Sequence, residues 1–108
     1  MSVFLSRSVF ADVTNEMTIA REEIFGPVVT IHRFETDQEA IDIANSTEYG
    51  LAGSIWSKDT ERAYELAKQI ETGIVWVNTW LHRDLRTPFG GVKNSGVGRE
   101  GGSWSLGF

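Results

Sequence analysis

The chain has 108 residues, 41% of them apolar, with only 13 glycines and prolines together, so it has material for one ordinary core and is not disordered overall. Its formal net charge of −5 argues against non-specific binding to nucleic acid or an acidic membrane. The absence of cysteine excludes disulfides, thiolate metal sites and a cysteine nucleophile within these residues.

Charge is uneven along the chain: residues 1–78 carry 6 basic and 13 acidic side chains, and residues 79–108 carry 4 basic and 2 acidic ones. No apolar run approaches the roughly 20 residues of a membrane span. The start, Met1-Ser2-Val3-Phe4-Leu5-Ser6-Arg7, lacks the basic and long apolar regions of a signal peptide. The expectation is a soluble, cytoplasmic chain.

Val9, Phe10 and Val13 suggest a short strand, with Asp12 and Asn15 as turn formers. Arg21-Glu22-Glu23-Ile24-Phe25-Gly26-Pro27 then packs two carboxylates, a ring and a Gly-Pro turn into seven residues. Pro27 fixes φ and pushes Gly26 toward extended backbone. Val28 to Phe34 reads as a buried strand beginning straight after that turn. Such a strand holds Glu23 and Phe25 at its mouth, where α/β proteins often carry chemistry. A solvated surface loop is the plainer reading of the same residues.

Thr36-Asp37-Gln38-Glu39 has the form of a capping box, and Ala40, Ile43 and Ala44 follow at helical spacing, so a short helix is predicted over about 37–46. Leu51 to Ser57 is the second strand. Asp59 is a good N-cap, and Ala63, Leu66, Ala67 and Ile70 form the cleanest helical stripe in the chain. Gly73 is the predicted residue after that helix. Ile74-Val75-Trp76-Val77 is the third strand. The order β-α-β-α-β predicts an α/β layer with a mostly parallel sheet. After Asn78 the pattern gives way to a long glycine-rich loop laid across the strand ends.

Gly96-Val97-Gly98-Arg99-Glu100-Gly101 matches a dinucleotide fingerprint in letters only. That fingerprint needs a buried strand before it and a long helix after it, and neither is legible here. A glycine loop permitting close backbone packing is the better reading. Arg83-Asp84-Leu85-Arg86 offers two guanidiniums beside Trp80 and Phe89, a pair able to grip a carboxylate, though a surface Arg–Asp pair explains it too. Phe25, Trp76, Trp80 and Phe89 fall at strand ends or in the adjacent loop, consistent with an aromatic-lined pocket. His32 and His82 stand fifty residues apart with no partner at ligand spacing, so both are expected to face solvent and no metal site is predicted. No Ser/His/Asp set can be assembled.

Four stretches occur together in order and spacing: Glu22 to Pro27, Tyr49-Gly50-Leu51-Ala52, Gly73 to Asn78, and Pro88 to Glu100. In this the chain resembles the NAD(P)-dependent aldehyde dehydrogenases, over about Val9 to Gly102, and specifically the C-terminal part of their catalytic domain. The resemblance implies oxidation of an aldehyde to a carboxylate. In that chemistry a cysteine thiolate attacks the carbonyl, hydride passes to the nicotinamide, and water activated by a glutamate releases the acid.

The resemblance also implies roles for individual residues. Glu23 would hydrogen-bond the nicotinamide ribose, Phe25 would touch the nicotinamide ring, and Phe89 would line the substrate tunnel. The run Trp76 to Phe89 is similar to the branch acting on 2-hydroxymuconic or 2-aminomuconic semialdehydes, which end in a second carboxylate. Arg83, with Arg86 as the alternate, would bind that group. The family's cysteine, general base and nucleotide-binding domain find no counterpart in these 108 residues, residues 1–8 look divergent, and the chain stops before the family's last strand. The expectation is a segment, residues 9–108, truncated at both ends and inactive by itself, from an enzyme that in this family forms homo-oligomers. A non-catalytic binding or assembly module, or a truncated product without activity, are the alternatives.

Overall fold

The computed structural model describes residues 6–107, so the expectation for Met1 to Leu5 lies outside the described residues. The chain divides into two compact units, Met1–Ser46 and Thr47–Phe108.

In the first unit, β1 (Ser8–Phe10) pairs in parallel with β2 (Val28–Thr30), Ser8 opposite Val28 and Phe10 opposite Thr30. The ladder continues by one bond, from Ile31 N–H to the Phe10 carbonyl at 2.7 Å. The regular register ends there, because Asp12 adopts φ 55°, and a longer bond from the Val13 N–H to the Ile31 carbonyl at 3.4 Å follows the break. The strand expected over Val28–Phe34 is therefore three residues long. It is also not buried: Val29 is 52% and Phe34 57% exposed.

A one-turn helix, α1 (Thr18–Arg21), precedes the Glu22–Pro27 turn and was not foreseen in the sequence. Helix α2 (Asp37–Asn45) forms as predicted, with the Thr36 hydroxyl accepting from the Glu39 amide at 3.2 Å. The Glu39 carboxylate reaches back one residue further than expected, to the Glu35 amide at 2.8 Å. Val13 and Ile41 are the buried apolar side chains described in this unit.

In the second unit, the strand expected over Leu51–Ser57 forms over Ala52–Ile55, and a two-residue strand not expected from the sequence precedes it. β3 (Tyr49–Gly50) pairs antiparallel with β6 (Val92–Lys93), whereas β4 (Ala52–Ile55) pairs in parallel with β5 (Ile74–Val77). Helix α3 (Thr60–Ala67) crosses between β4 and β5, its first turn capped by Asp59, which accepts from the Arg62 amide at 3.0 Å. Ala63, fully buried, sits on the face that contacts both strands. The mixed α/β class expected from the sequence is what forms, with its parallel strands in small two-stranded sheets.

Gly73 is not the residue after the helix. α3 ends at Ala67 with Lys68 as its C-cap, and the chain makes further turns before β5. Gly73 is required instead by close packing, since a Cβ there would lie 1.5 Å from the Gly90 carbonyl oxygen. The region after Asn78 is mostly loop, as expected, but includes β6, a pairing of Phe89 with Glu100, and a 3-10 helix, Gly102–Gly107.

Candidate functional site

The first unit presents a hollow of about 390 Å³ lined by Ile19, Ala20, Glu23, Phe25, Val28 and Thr30 among others. Its rim is fixed from both sides. Arg21 donates from Nε to the Asn15 carbonyl at 2.6 Å, and the Glu22 amide closes α1 on the Thr18 carbonyl at 3.0 Å. Val28 N–H meets the Gly26 carbonyl at 2.8 Å, a tight turn that leads straight into β2.

Between these anchors Phe25 adopts φ 51°, a left-handed conformation costly for a bulky residue. The consequence is a ring displayed almost whole to the outside, 93% exposed. Burying that ring would contribute about 2 kcal/mol, so a fold that displays it while straining its backbone leaves it available for a partner. Glu23 lies exposed on the same hollow, with no hydrogen-bonding or ionic partner for its carboxylate among the described residues.

The second unit holds a smaller hollow of about 240 Å³, lined by Ile74, Trp76, His82, Arg83, Thr87 and Phe89 among others. The loop that walls it leaves β5 at Asn78, which takes φ 54°. The side chain of Asn78 secures that turn by accepting from the Ser57 amide at 2.8 Å and donating to the Ser57 carbonyl at 3.0 Å. Trp76, buried, donates from Nε1 to the His82 carbonyl at 2.9 Å and receives Trp80 edge-on with ring centroids 5.0 Å apart.

The two arginines of the predicted clamp are separated by what they touch. The Arg83 guanidinium lies over the Phe89 ring, 4.3 Å from its centroid, and has no carboxylate partner among the described residues. Arg86 is engaged twice with Asp84, Nη2 to Oδ2 at 2.6 Å and Nε to Oδ1 at 2.9 Å, and its amide adds a third bond to Oδ1 at 2.9 Å. The Arg86 side-chain bonds, then its amide, hold the Asp84 carboxyl below its usual range, and the same carboxylate raises Arg86 further. The structure thus brings Arg83 and Phe89 together on one hollow and ties Arg86 into a local pair.

Phe89 is held by a reciprocal pair of backbone bonds with Glu100, both 2.7 Å. Beyond it, Arg99 donates from Nη1 to the carbonyls of Gly91 and Gly98, each at 2.8 Å. The Gly96–Gly101 run is therefore the return limb of a knotted-down turn, with a 3-10 helix after it where a dinucleotide fingerprint needs a long helix. Neither the Trp76 bond to the loop nor the Arg99 double contact was read from the sequence. A lone arginine inside a glycine run was the available signal for the second, and the first had none. His32, expected in solvent, is half-buried with its Nε2 3.2 Å from the Thr30 hydroxyl, whereas His82 is exposed. Among the described residues no group of three His, Asp or Glu side chains is arranged to hold a metal ion.

Comparison with known proteins places these features in a lineage. The family model described as "Aldehyde dehydrogenase family" matches residues 2–108. A 2-hydroxymuconic semialdehyde dehydrogenase of Pseudomonas putida is 52% identical over 94% of this chain and 21% of its own length. A geranial dehydrogenase of Castellaniella defragrans is 54% identical over 96% of this chain and 22% of its own. Among solved structures, a Mycobacterium tuberculosis aldehyde dehydrogenase complexed with NAD+ superposes with a TM-score of 0.85 at 52% identity, over 91% of this chain and 20% of that one. The chain thus spans about a fifth of the length of the relatives it matches. With the family model matching nearly all of its residues, the chain belongs to the aldehyde dehydrogenase family.

Proposed function

We propose that this chain is the part of an NAD(P)-dependent aldehyde dehydrogenase that presents two contact surfaces, one to the nicotinamide end of the cofactor and one to the far end of the substrate. NAD(P)+, when bound, supplies the acceptor for the hydride that leaves the aldehyde carbon. The residues around the first hollow fit that group. Glu23 has a carboxylate free to accept from two ribose hydroxyls, and Phe25 offers an uncovered ring to a flat heterocycle. Their role is orientation, through contacts made outside the reacting atoms.

At the second hollow we assign Arg83 to a substrate carboxylate remote from the aldehyde and Phe89 to the apolar wall beside it. The observation that carries this is the state of the two guanidiniums. Arg83 is steadied on a ring and spends no donor on a described carboxylate, while Arg86 is occupied by Asp84. A muconic semialdehyde is the substrate this arrangement suits, and kinship with a dehydrogenase of that specificity supports it. The equally similar geranial dehydrogenase favours a competing reading, an uncharged aldehyde on the same apolar wall.

The experiment compares 2-hydroxymuconic semialdehyde with geranial in a full-length dehydrogenase carrying this segment, before and after Arg83→Ala. Loss of charge-assisted bonds worth about 2 kcal/mol raises KM for the semialdehyde about 30-fold and leaves geranial within about twofold. An equal effect on both aldehydes, or none on the semialdehyde, refutes the clamp.

The 108 residues alone, lacking a cysteine, are expected to produce no NADH from NAD+ and either aldehyde. Sustained absorbance growth at 340 nm, roughly the position of the reduced nicotinamide band, overturns that expectation. A cytoplasmic, homo-oligomeric enzyme is the setting we infer for the whole. Among the described residues no helix is long and apolar enough to cross a membrane.

A further inference from the structure

We infer that Trp76 is a positioning residue for Arg83, and so helps determine specificity for carboxylate-bearing aldehydes without touching the carboxylate. The inference rests on the assignment of Arg83 proposed above and concerns what keeps that side chain in place.

The loop between Asn78 and Phe89 has few ties of its own. Asn78 and Leu81 both take positive φ, 54° and 57°, so the backbone leaves β5 through two left-handed steps. Such a path persists only where surrounding contacts hold it. At its near end the Asn78 side chain holds Ser57, and beyond Arg83 the Asp84 carboxylate gathers the Arg86 amide and guanidinium. Between those anchors, the bond the structure records from outside the loop is Trp76 Nε1 to the His82 carbonyl, 2.9 Å long.

That carbonyl belongs to the peptide that begins Arg83. Fixing it fixes the direction in which the Arg83 side chain leaves the backbone, and hence the 4.3 Å approach of the guanidinium to Phe89. The donor itself cannot wander: Trp76 is in the middle of β5, paired across to Ser54, and is one of the few buried side chains of the unit. Trp80 closes edge-on against the same ring, so the loop folds back over the indole that anchors it. An exposed stacking of arginine on phenylalanine contributes only about 0.5–1 kcal/mol, too little to hold a long side chain unless its backbone is already aimed. An aimed guanidinium loses less rotamer freedom when a carboxylate arrives.

The test uses a full-length aldehyde dehydrogenase carrying this segment, with 2-hydroxymuconic semialdehyde and geranial as paired substrates. Trp76→Phe keeps an aromatic ring and deletes the donor. Replacing Trp76 by 3-benzothienylalanine through nonsense suppression deletes only the N–H and keeps the full shape, which guards against a folding defect. Both variants are expected to raise KM for the semialdehyde about three- to tenfold, the worth of one hydrogen bond, with kcat and the geranial KM within about twofold. Combined with Arg83→Ala, neither is expected to add a further effect, because the residue they act through is gone.

An unchanged semialdehyde KM in the benzothienyl variant, with Arg83→Ala still raising it, overturns the positioning role and leaves the clamp standing. An effect on both aldehydes alike assigns Trp76 to the fold and also overturns it. If Arg83→Ala itself leaves KM unchanged, the clamp fails and this inference falls with it.

Discussion

The two hollows are built on opposite plans. Around Glu22 to Pro27 the backbone is anchored at both ends, yet the two side chains proposed to meet the cofactor are left uncovered: Phe25 is displayed at positive φ, and the Glu23 carboxylate has no polar partner among the described residues. Around Arg83 to Phe89 the loop is anchored by side-chain hydrogen bonds, the indole of Trp76 on the His82 carbonyl and the Asp84 carboxylate on Arg86. The first surface spends backbone strain to present a ring; the second spends hydrogen bonds to aim a cation. A displayed group suits a large, flat cofactor that brings its own area, and an aimed group suits a small charged end that offers only one contact.

The contrast can be broken at its most tightly packed point. Gly73→Ala places a methyl group on the Gly90 carbonyl, which neither backbone can vacate. It is expected to destabilise the second unit by about 3 kcal/mol or more, read as a lower midpoint in denaturant, and to impair both aldehydes in the full-length enzyme. The semialdehyde-selective losses expected of Arg83→Ala and of the Trp76 variants come next in size.

The displayed side is sharpened by a pair of changes. Glu23→Gln should raise the cofactor dissociation constant about tenfold, as a charged acceptor is lost. Phe25→Ala should raise it about three- to tenfold while shifting folding stability by less than about 0.5 kcal/mol, because an outward ring has few contacts to lose and alanine inherits the same φ. Fluorescence titration with NADH and a melting curve on the same sample read both quantities. A large stability loss with unchanged cofactor binding would make Phe25 a packing residue instead.

The smallest effect expected is one of pH. Asp84 releases its proton below its ordinary value of 3.8 because Arg86 donates to it. Between the folded and unfolded values the unfolded chain therefore binds more protons, and stability rises with pH. The contribution of the pair is complete above the ordinary value and is lost as pH falls through the folded one. The Arg83 loop should thus be insensitive to pH from about 5 to 8, and Arg86→Ala should remove only the acid-side dependence of its melting.

Local signals in the sequence located α2 almost to the residue and the start of α3, because each begins with a side chain that caps its own first turn, Thr36 and Asp59. The end of α3 came several residues earlier than its apolar stripe suggested. Glu23, Phe25, Arg83, Arg86 and Phe89 were likewise legible as candidates, though as roles they came from motif resemblance. What local signals could not carry was the use of long-range contacts. Gly73 read as a helix terminator and proved to be a packing glycine, because its neighbour, Gly90, lies seventeen residues on. The strand read from Leu51 keeps one parallel partner, β5, whereas the antiparallel pairing of Tyr49 and Gly50 just before it, with Val92 and Lys93 more than forty residues on, left no local signal.

Composition, capping chemistry and motif order by themselves determined the α/β class, the family and a short set of candidate residues. Only the tertiary structure decided which arginine is free, which ring is displayed and which indole holds the loop. The physical reason is one of range. Caps and periodicity act within a few residues, whereas the availability of a charge depends on the full set of partners that folding brings within about 4 Å of it.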